Sequence, residues 1–193
     1  MTWASTDGIT TPAPADIWCQ LAAVVSLTEL VAAGDFLLSG SRIVNGQGQR
    51  TSPLCDLKAL SDARKRHRNT LGAPLRHRAI ALLRAPVDSP QESFLRLTII
   101  DAGFEEPIVN CPVSTRDRVF HADLGYPQLR IAIEYEGRHH FSGLQQAEFD
   151  LHRRRLMAEA GWTVIQVTHK DILDPRAFLR ALAAAVSKSR ARH

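Results

Sequence analysis

Cysteine is scarce in this chain. Its three copies, Cys19, Cys55 and Cys111, lie far apart, form no CxxC pair and cannot all be bridged to one another, so the sequence predicts a reducing, cytoplasmic setting. Long apolar runs are missing too, since none approaches the roughly 18 residues that a membrane span needs. The opening residues MTWASTDGITTPAPAD lack the positive n-region and the apolar h-region of a signal peptide. A soluble intracellular protein with no membrane partner is the expectation. Lysine is the third scarcity, with 4 copies against 20 arginines. That imbalance fits phosphate recognition, and equally an Arg-rich coding bias.

What is present is ordinary for a folded chain. Of 193 residues, 45% are hydrophobic and 23% charged, which excludes disorder, collagen and coiled coil as descriptions of the whole. The length suits one domain, or one domain with a helical extension. The net charge of +4 is uneven: residues 1–88 carry 10 basic and 7 acidic groups, and residues 89–193 carry 14 and 13.

Residues 1–14, rich in Thr, Ser, Pro and Ala without periodicity, read as a flexible lead. Residues 15–88 read as a helical extension. IWCQLAAVV has apolar residues at helical spacing, and Ser26-Leu27-Thr28-Glu29 has the S-x-x-E form of a capping box, opening a second helix expected to end at Gly34. Two short helices in tandem admit a helix-turn-helix reading, but the second is mostly apolar and offers few groups to base edges, so a packing element is the simpler expectation. The turn-rich FLLSGSRIVNGQGQRTSP predicts a loop or weak ribbon. LKALSDARKRHRNT and PLRHRAIALLR then concentrate Arg64, Lys65, Arg66, Arg68, Arg76 and Arg78, either as a solvated face or as a phosphate-tracking surface.

Residues 89–193 carry a different pattern. Ser89-Pro90-Gln91-Glu92 is a helix start with a capping Ser, and FLRLTIIDA runs on to a stop at Gly103. PIVNCPVS, RVFHADLGYP and LRIAIEYEG read as strands, a helix is expected from about Gln145 to Ala160, and WTVIQVT reads as a further strand before a closing amphipathic helix. This order predicts an α/β layered fold around a mixed sheet.

The strand LRIAIEYEG alternates, with Ile131, Ile133 and Tyr135 on one face and Arg130, Ala132, Glu134 and Glu136 on the other. Carboxylates at i and i+2 stand roughly 7 Å apart and point the same way, a repulsion that a solvated edge or a bound cation relieves. Asp123 lies on the preceding strand and comes alongside if the hairpin register centres near Gln128 and Leu129. Three converging carboxylates are then expected. Hard oxygen ligands of this kind suit Mg²⁺ or Mn²⁺. Glu92 is a further candidate acid, with an equally good reading as the reciprocal acceptor of the Ser89 capping box. His139 and His140 read either as loop residues or as proton carriers, and Trp162 as core rather than a base-stacking platform.

The segments SPQESFLRLTIIDAGFEEPIVNCPV, HADLGYPQLRIAIEYEGRHH and FDLHRRRLMAEAGWTVIQVTHKDIL, recurring in that order, resemble domain-of-unknown-function family 559. These are endonuclease-like domains similar to the very-short-patch repair endonuclease, within the PD-(D/E)XK superfamily. Residues 15–88, including WCQLAAVVSLTELVAAGD, look like the helical segment that precedes the domain in actinobacterial members. The resemblance implies a restriction-endonuclease-like fold, a mixed β-sheet core flanked by helices over residues 89–193. It implies that Asp123 and Glu134 are the metal-binding acids and Glu92 a helix-borne one. Where the motif carries Lys, this chain has Glu136, which cannot supply the positive charge that stabilises the transition state. His140, or less directly His139, is then the implied general acid or base. Arg138, Arg153 and Arg154 are the candidate phosphate-binding residues.

Two functions follow as expectations. One is a metal-dependent DNA endonuclease, with Asp123, Glu134, Glu136, His140 and Glu92 in its catalytic centre. The alternative is an inactive nuclease-fold module that binds nucleic acid or a protein partner.

Overall fold

The computed structural model describes residues 2–6, 9–41, 49–137 and 144–191. The protein is α/β and divides into two compact units, Met1–Phe94 and Leu95–His193, the division falling inside a helix. Among the described residues, no helix is long and apolar enough to cross a membrane.

The first unit opens on an antiparallel ribbon of β1 (Trp3–Thr6) and β2 (Ile9–Pro12), with Trp3 opposite Pro12. This ribbon lies within the lead. Thr and Ile segments flanking an Asp-Gly pair are a hairpin signature that bulk composition conceals. Thr2 also ties the ribbon down, its amide donating to Asp16 Oδ2 at 2.8 Å. Four helices follow: α1 (Pro14–Leu21), α2 (Leu27–Ser39), α3 (Leu57–Arg66) and α4 (Ala73–Leu82). Helix α1 packs on α3 and α2 on α4, burying Trp18, Leu30, Val31, Leu60, Ala63 and Ala79. The capping box forms as expected, with Glu29 N–H donating to Ser26 Oγ and Ser26 N–H to Glu29 Oε2. Helix α2 nevertheless runs through Gly34. A Cβ there would lie 2.5 Å from Leu83 Cδ2 and 2.9 Å from Trp18 Nε1, so this glycine serves close helix packing instead of helix termination.

Arg76 departs from the expected charge run, because it is fully buried. Its guanidinium donates to the carbonyls of Cys19, His67, Thr70 and Leu71 and to Thr70 Oγ1, at 2.6–3.2 Å. A charge this deep is tolerated because both terminal nitrogens are satisfied, Nε alone making no hydrogen bond among the described residues.

Helix α5 (Pro90–Asp101) spans the boundary. The second unit continues with β3 (Ile108–Ser114), β4 (Val119–Tyr126), a 3₁₀ turn at Pro127–Leu129, β5 (Ile131–Glu136), α6 (Leu144–Glu159), β6 (Thr163–Thr168), α7 (His169–Leu173) and α8 (Arg176–Arg190). The sheet order is β3-β4-β5-β6, antiparallel except for the β5–β6 pair, which is parallel and joined by α6. Ile131 and Ile133 pack with Leu95 and Ile99 of α5 and Phe178 and Leu182 of α8. Ala132 joins Phe120, Leu156 and Met157, with Trp162 against that cluster as part of the core. The face of β5 opposite its isoleucines therefore looks toward α6.

Candidate functional site

Tyr126 pairs with Ile131 and Leu124 with Ile133, so the β4–β5 hairpin is centred between Gln128 and Leu129. Continued one step beyond its last pair, this register would bring Asp123 opposite Glu134. The backbone changes character at that point. The β4–β5 ladder stops at Leu124 and Ile133, and the β3–β4 ladder skips the step between Val109↔Leu124 and Cys111↔Ala122, where Asn110 takes a left-handed φ of 48° opposite Asp123. Asn tolerates that conformation better than other non-glycine residues. In place of a ladder bond, Asp123 Oδ2 accepts from the Tyr135 amide at 2.7 Å. Half-buried Asp123 is thus held by the backbone of the strand that carries Glu134.

Helix α6 supplies the cations. Arg153 Nη2 stands 2.7 Å from Glu134 Oε1, the two side chains being 24% and 13% exposed. The same nitrogen donates to the His121 carbonyl at 2.5 Å, and the guanidinium lies 5.8 Å from the Phe120 ring centre, within cation–π range. Glu136, at the end of β5, turns elsewhere: Gln166 Nε2 donates to its Oε1 at 2.6 Å, and Arg154 Nη1 is 3.8 Å from the same oxygen. Among the described residues, no three His, Cys, Asp or Glu side chains gather so as to hold a metal ion. The expected convergence of Asp123, Glu134 and Glu136 on one spot is accordingly corrected: Asp123 bonds the Tyr135 amide, Glu134 pairs with Arg153, and Glu136 turns to Gln166 and Arg154.

Glu92 belongs to the start of α5. Its Oε2 accepts from the Asp88 amide and its Oε1 from the Ser89 hydroxyl, both at 2.9 Å, and Ser89 Oγ accepts from Glu92 N–H at 3.4 Å. This is the capping role. Arg138, His139 and His140 lie outside the described residues. Sequence reasoning missed Gln166 and Phe120. The only cue to Gln166 was one polar residue inside the apolar strand WTVIQVT, and the parallel pairing that sets it beside Glu134 is a long-range feature.

No protein-family profile matches the chain. No solved structure matches it. Two proteins of Mycobacterium tuberculosis are similar to part of it: Uncharacterized protein MT2308 of strain CDC 1551 / Oshkosh and Uncharacterized protein Rv2248 of strain ATCC 25618 / H37Rv. Each is 29% identical over 86 residues, which is 44% of this chain, and the match spans only 32% of either relative's length.

Proposed function

We propose that the second unit is a metal-dependent DNA endonuclease of the very-short-patch-repair-like, PD-(D/E)XK type, hydrolysing phosphodiester bonds in the cytoplasm. What supports this reading is that Asp123, bonded to the Tyr135 amide, is tied to the strand that carries Glu134 where the ladders around Asp123 open, with Arg153 seated on Glu134. Two carboxylates are a hard-oxygen donor pair, and Mg²⁺ or Mn²⁺ takes one or two such groups beside waters and substrate phosphate. The donor set fits such a cation, with Asp123 and Glu134 as the residues that would hold it. Bound there, it would acidify a water and polarise a phosphoryl oxygen.

The chain's own residues do the remaining work. Glu134 and Glu136 each stand by a guanidinium and Asp123 adds a third carboxylate, so the region carries one negative charge in excess, which a divalent cation would turn positive toward a phosphodiester. Arg153 and Arg154 carry charge near the position where the motif has Lys and this chain has Glu136. A guanidinium keeps its proton at neutral pH, so their part is to hold phosphate and offset the charge that builds on it. Glu136, anchored by Gln166, orients Arg154. His140 is assigned the proton transfer to the leaving group or from the attacking water. Glu92 is assigned to the helix start and not to the chemistry.

A second reading, a nuclease-fold module that binds nucleic acid or a protein without cutting, is favoured by the absent Lys and by the guanidinium that already neutralises Glu134. Incubating the protein with supercoiled plasmid and single-stranded DNA in Mg²⁺ or Mn²⁺, beside Asp123→Asn, Glu134→Gln and His140→Ala, separates the two. The endonuclease reading expects cleavage lost in the first two variants and lowered in the third. Cleavage that persists in both carboxylate variants refutes the site. Salt-sensitive binding with no cleavage by the wild type establishes the second reading.

A further inference from the structure

From Ala63 to Val87 the chain has six Arg and one Lys and no Asp or Glu at all. A solvated helix face ordinarily mixes both signs. Here one sign holds across the end of α3, the turn that follows and all of α4. The two helices present it jointly, since Arg64 Nη1 lies 3.0 Å from His77 Nδ1. Lys65, Arg66, Arg68, His77 and Arg78 are exposed. Two of them, Lys65 and Arg66, have acid partners, and among the described residues Arg68 and Arg78 form no ion pair. Asp16 is fully buried and holds Arg66 and His67 at 3.0 and 2.7 Å, and Asp62 is shared between Lys58 and Lys65.

The turn carrying these charges is rigid. Arg76 fastens the carbonyls of His67, Thr70 and Leu71 from beneath. Gly72 sits at φ +81° with Ala22 O 2.3 Å from where a Cβ would be, so the turn lies close against the end of α1 and takes no side chain there. A cationic surface held in place loses little freedom when a ligand docks. Arg and Lys presented this way match the regularly spaced phosphates of a duplex and carry no means of reading base edges.

We infer that the α3–α4 turn of the first unit is a phosphate-backbone contact surface for duplex DNA, giving the protein a sequence-independent, salt-sensitive hold on its substrate. The choice of DNA rests on the endonuclease reading of the second unit, but the surface is testable without it.

The test is fluorescence anisotropy of the whole chain with a labelled 20-bp duplex in EDTA, which removes cleavage from the measurement. The triple variant Lys65→Gln, Arg68→Gln, Arg78→Gln is compared with Arg180→Gln, Lys188→Gln, Arg190→Gln, an equal loss of charge from exposed positions of α8. Each phosphate contact contributes about 0.9 to the slope of log K against log salt, so the first triple should lower that slope by about 2 to 3 and weaken binding about tenfold or more near physiological salt. The α8 triple should stay within about twofold of wild type. Arg68→Lys with Arg78→Lys preserves charge and should keep binding, which guards against a folding defect in the Gln variants. Equal losses in both triples, wild-type binding by the first, or loss of binding in the Lys variant overturns the surface. Competition by polyglutamate as strong as that by unlabelled duplex at equal charge also overturns it, in favour of an acidic protein partner. Wild-type binding that depends on the turn, in a protein that cuts nothing with Mg²⁺ or Mn²⁺, supports the surface and sinks only the endonuclease reading.

Discussion

Replacing Arg153 by Gln removes the guanidinium that stands 2.7 Å from Glu134 Oε1. Two unit charges about 4 Å apart attract by about 4 kcal/mol at an effective dielectric near 20, and by about 1 kcal/mol in bulk water. The side chains are 24% and 13% exposed, partly shielded yet not sealed. About 2 kcal/mol is the value between those limits, equivalent to roughly thirtyfold in an equilibrium constant. In the wild type, a cation entering between Asp123 and Glu134 must contend with that attraction. If the proposed endonuclease reading holds, the expected result for Arg153→Gln is Mn²⁺ binding about thirtyfold tighter by calorimetric titration, together with slower DNA cleavage, because the charge proposed to hold phosphate is gone. Tighter metal with weaker catalysis is a combination that simple damage to the fold does not produce. Unchanged or weaker Mn²⁺ binding in a folded Arg153→Gln protein refutes the reasoning, since the guanidinium would then not be competing for the carboxylates.

Arg76→Met keeps most of the volume but leaves the carbonyls of Cys19, His67, Thr70 and Leu71 without their donor; after the recovered desolvation of the charge, a loss of about 3 kcal/mol remains, and a urea titration showing less than about 1 kcal/mol contradicts it. For Asp16, burial alone would raise the carboxyl, but hydrogen bonds from Thr2, then His67 and Arg66, outweigh it and hold the group well below the usual carboxylate range. A folded value lowered in this way gives stability that is complete above about pH 4 and is lost as pH falls through the folded value, so Asp16→Asn should be destabilised at pH 7 with a gap to wild type that narrows at pH 3. A gap that stays constant between the two pH values counts against this. Gly125→Ala places a Cβ 2.7 Å from Cys111 Sγ and 2.8 Å from the Ile131 carbonyl, the second a backbone atom that cannot swing aside. A cost of about 1 to 3 kcal/mol follows, and an unchanged Tm would show the strand can give way.

The second unit was largely legible because its signals are local or periodic. The alternation of LRIAIEYEG put Ile131 and Ile133 in one cluster and Ala132 in another, and a hairpin centred on Gln128 and Leu129 follows once a turn is placed there. What stayed hidden depends on packing between distant segments. Nothing in the run ARKRHR distinguishes its exposed arginines from Arg76, ten residues on, whose burial depends on carbonyls brought together from α1 and the α3–α4 turn. Gly34 resembles a helix stop until Trp18 and Leu83 are seen against it. The third carboxylate failed to join the site for a similar reason. Strand periodicity places Glu136 on the same face as Glu134, but Gln166 and Arg154 pull it aside, and both come from elements that follow it in the chain.

The bond from the Tyr135 amide to Asp123 has a consequence for how this unit can change over generations. Position 123 answers to the sheet as well as to any reaction, because it supplies the acceptor where strand pairing ends. Asn offers a similar oxygen and an apolar residue offers none. A descendant selected for the fold alone would therefore drift from Asp to Asn at 123 well before it drifted to Ala or Val, and an acceptor kept there marks an intact sheet end.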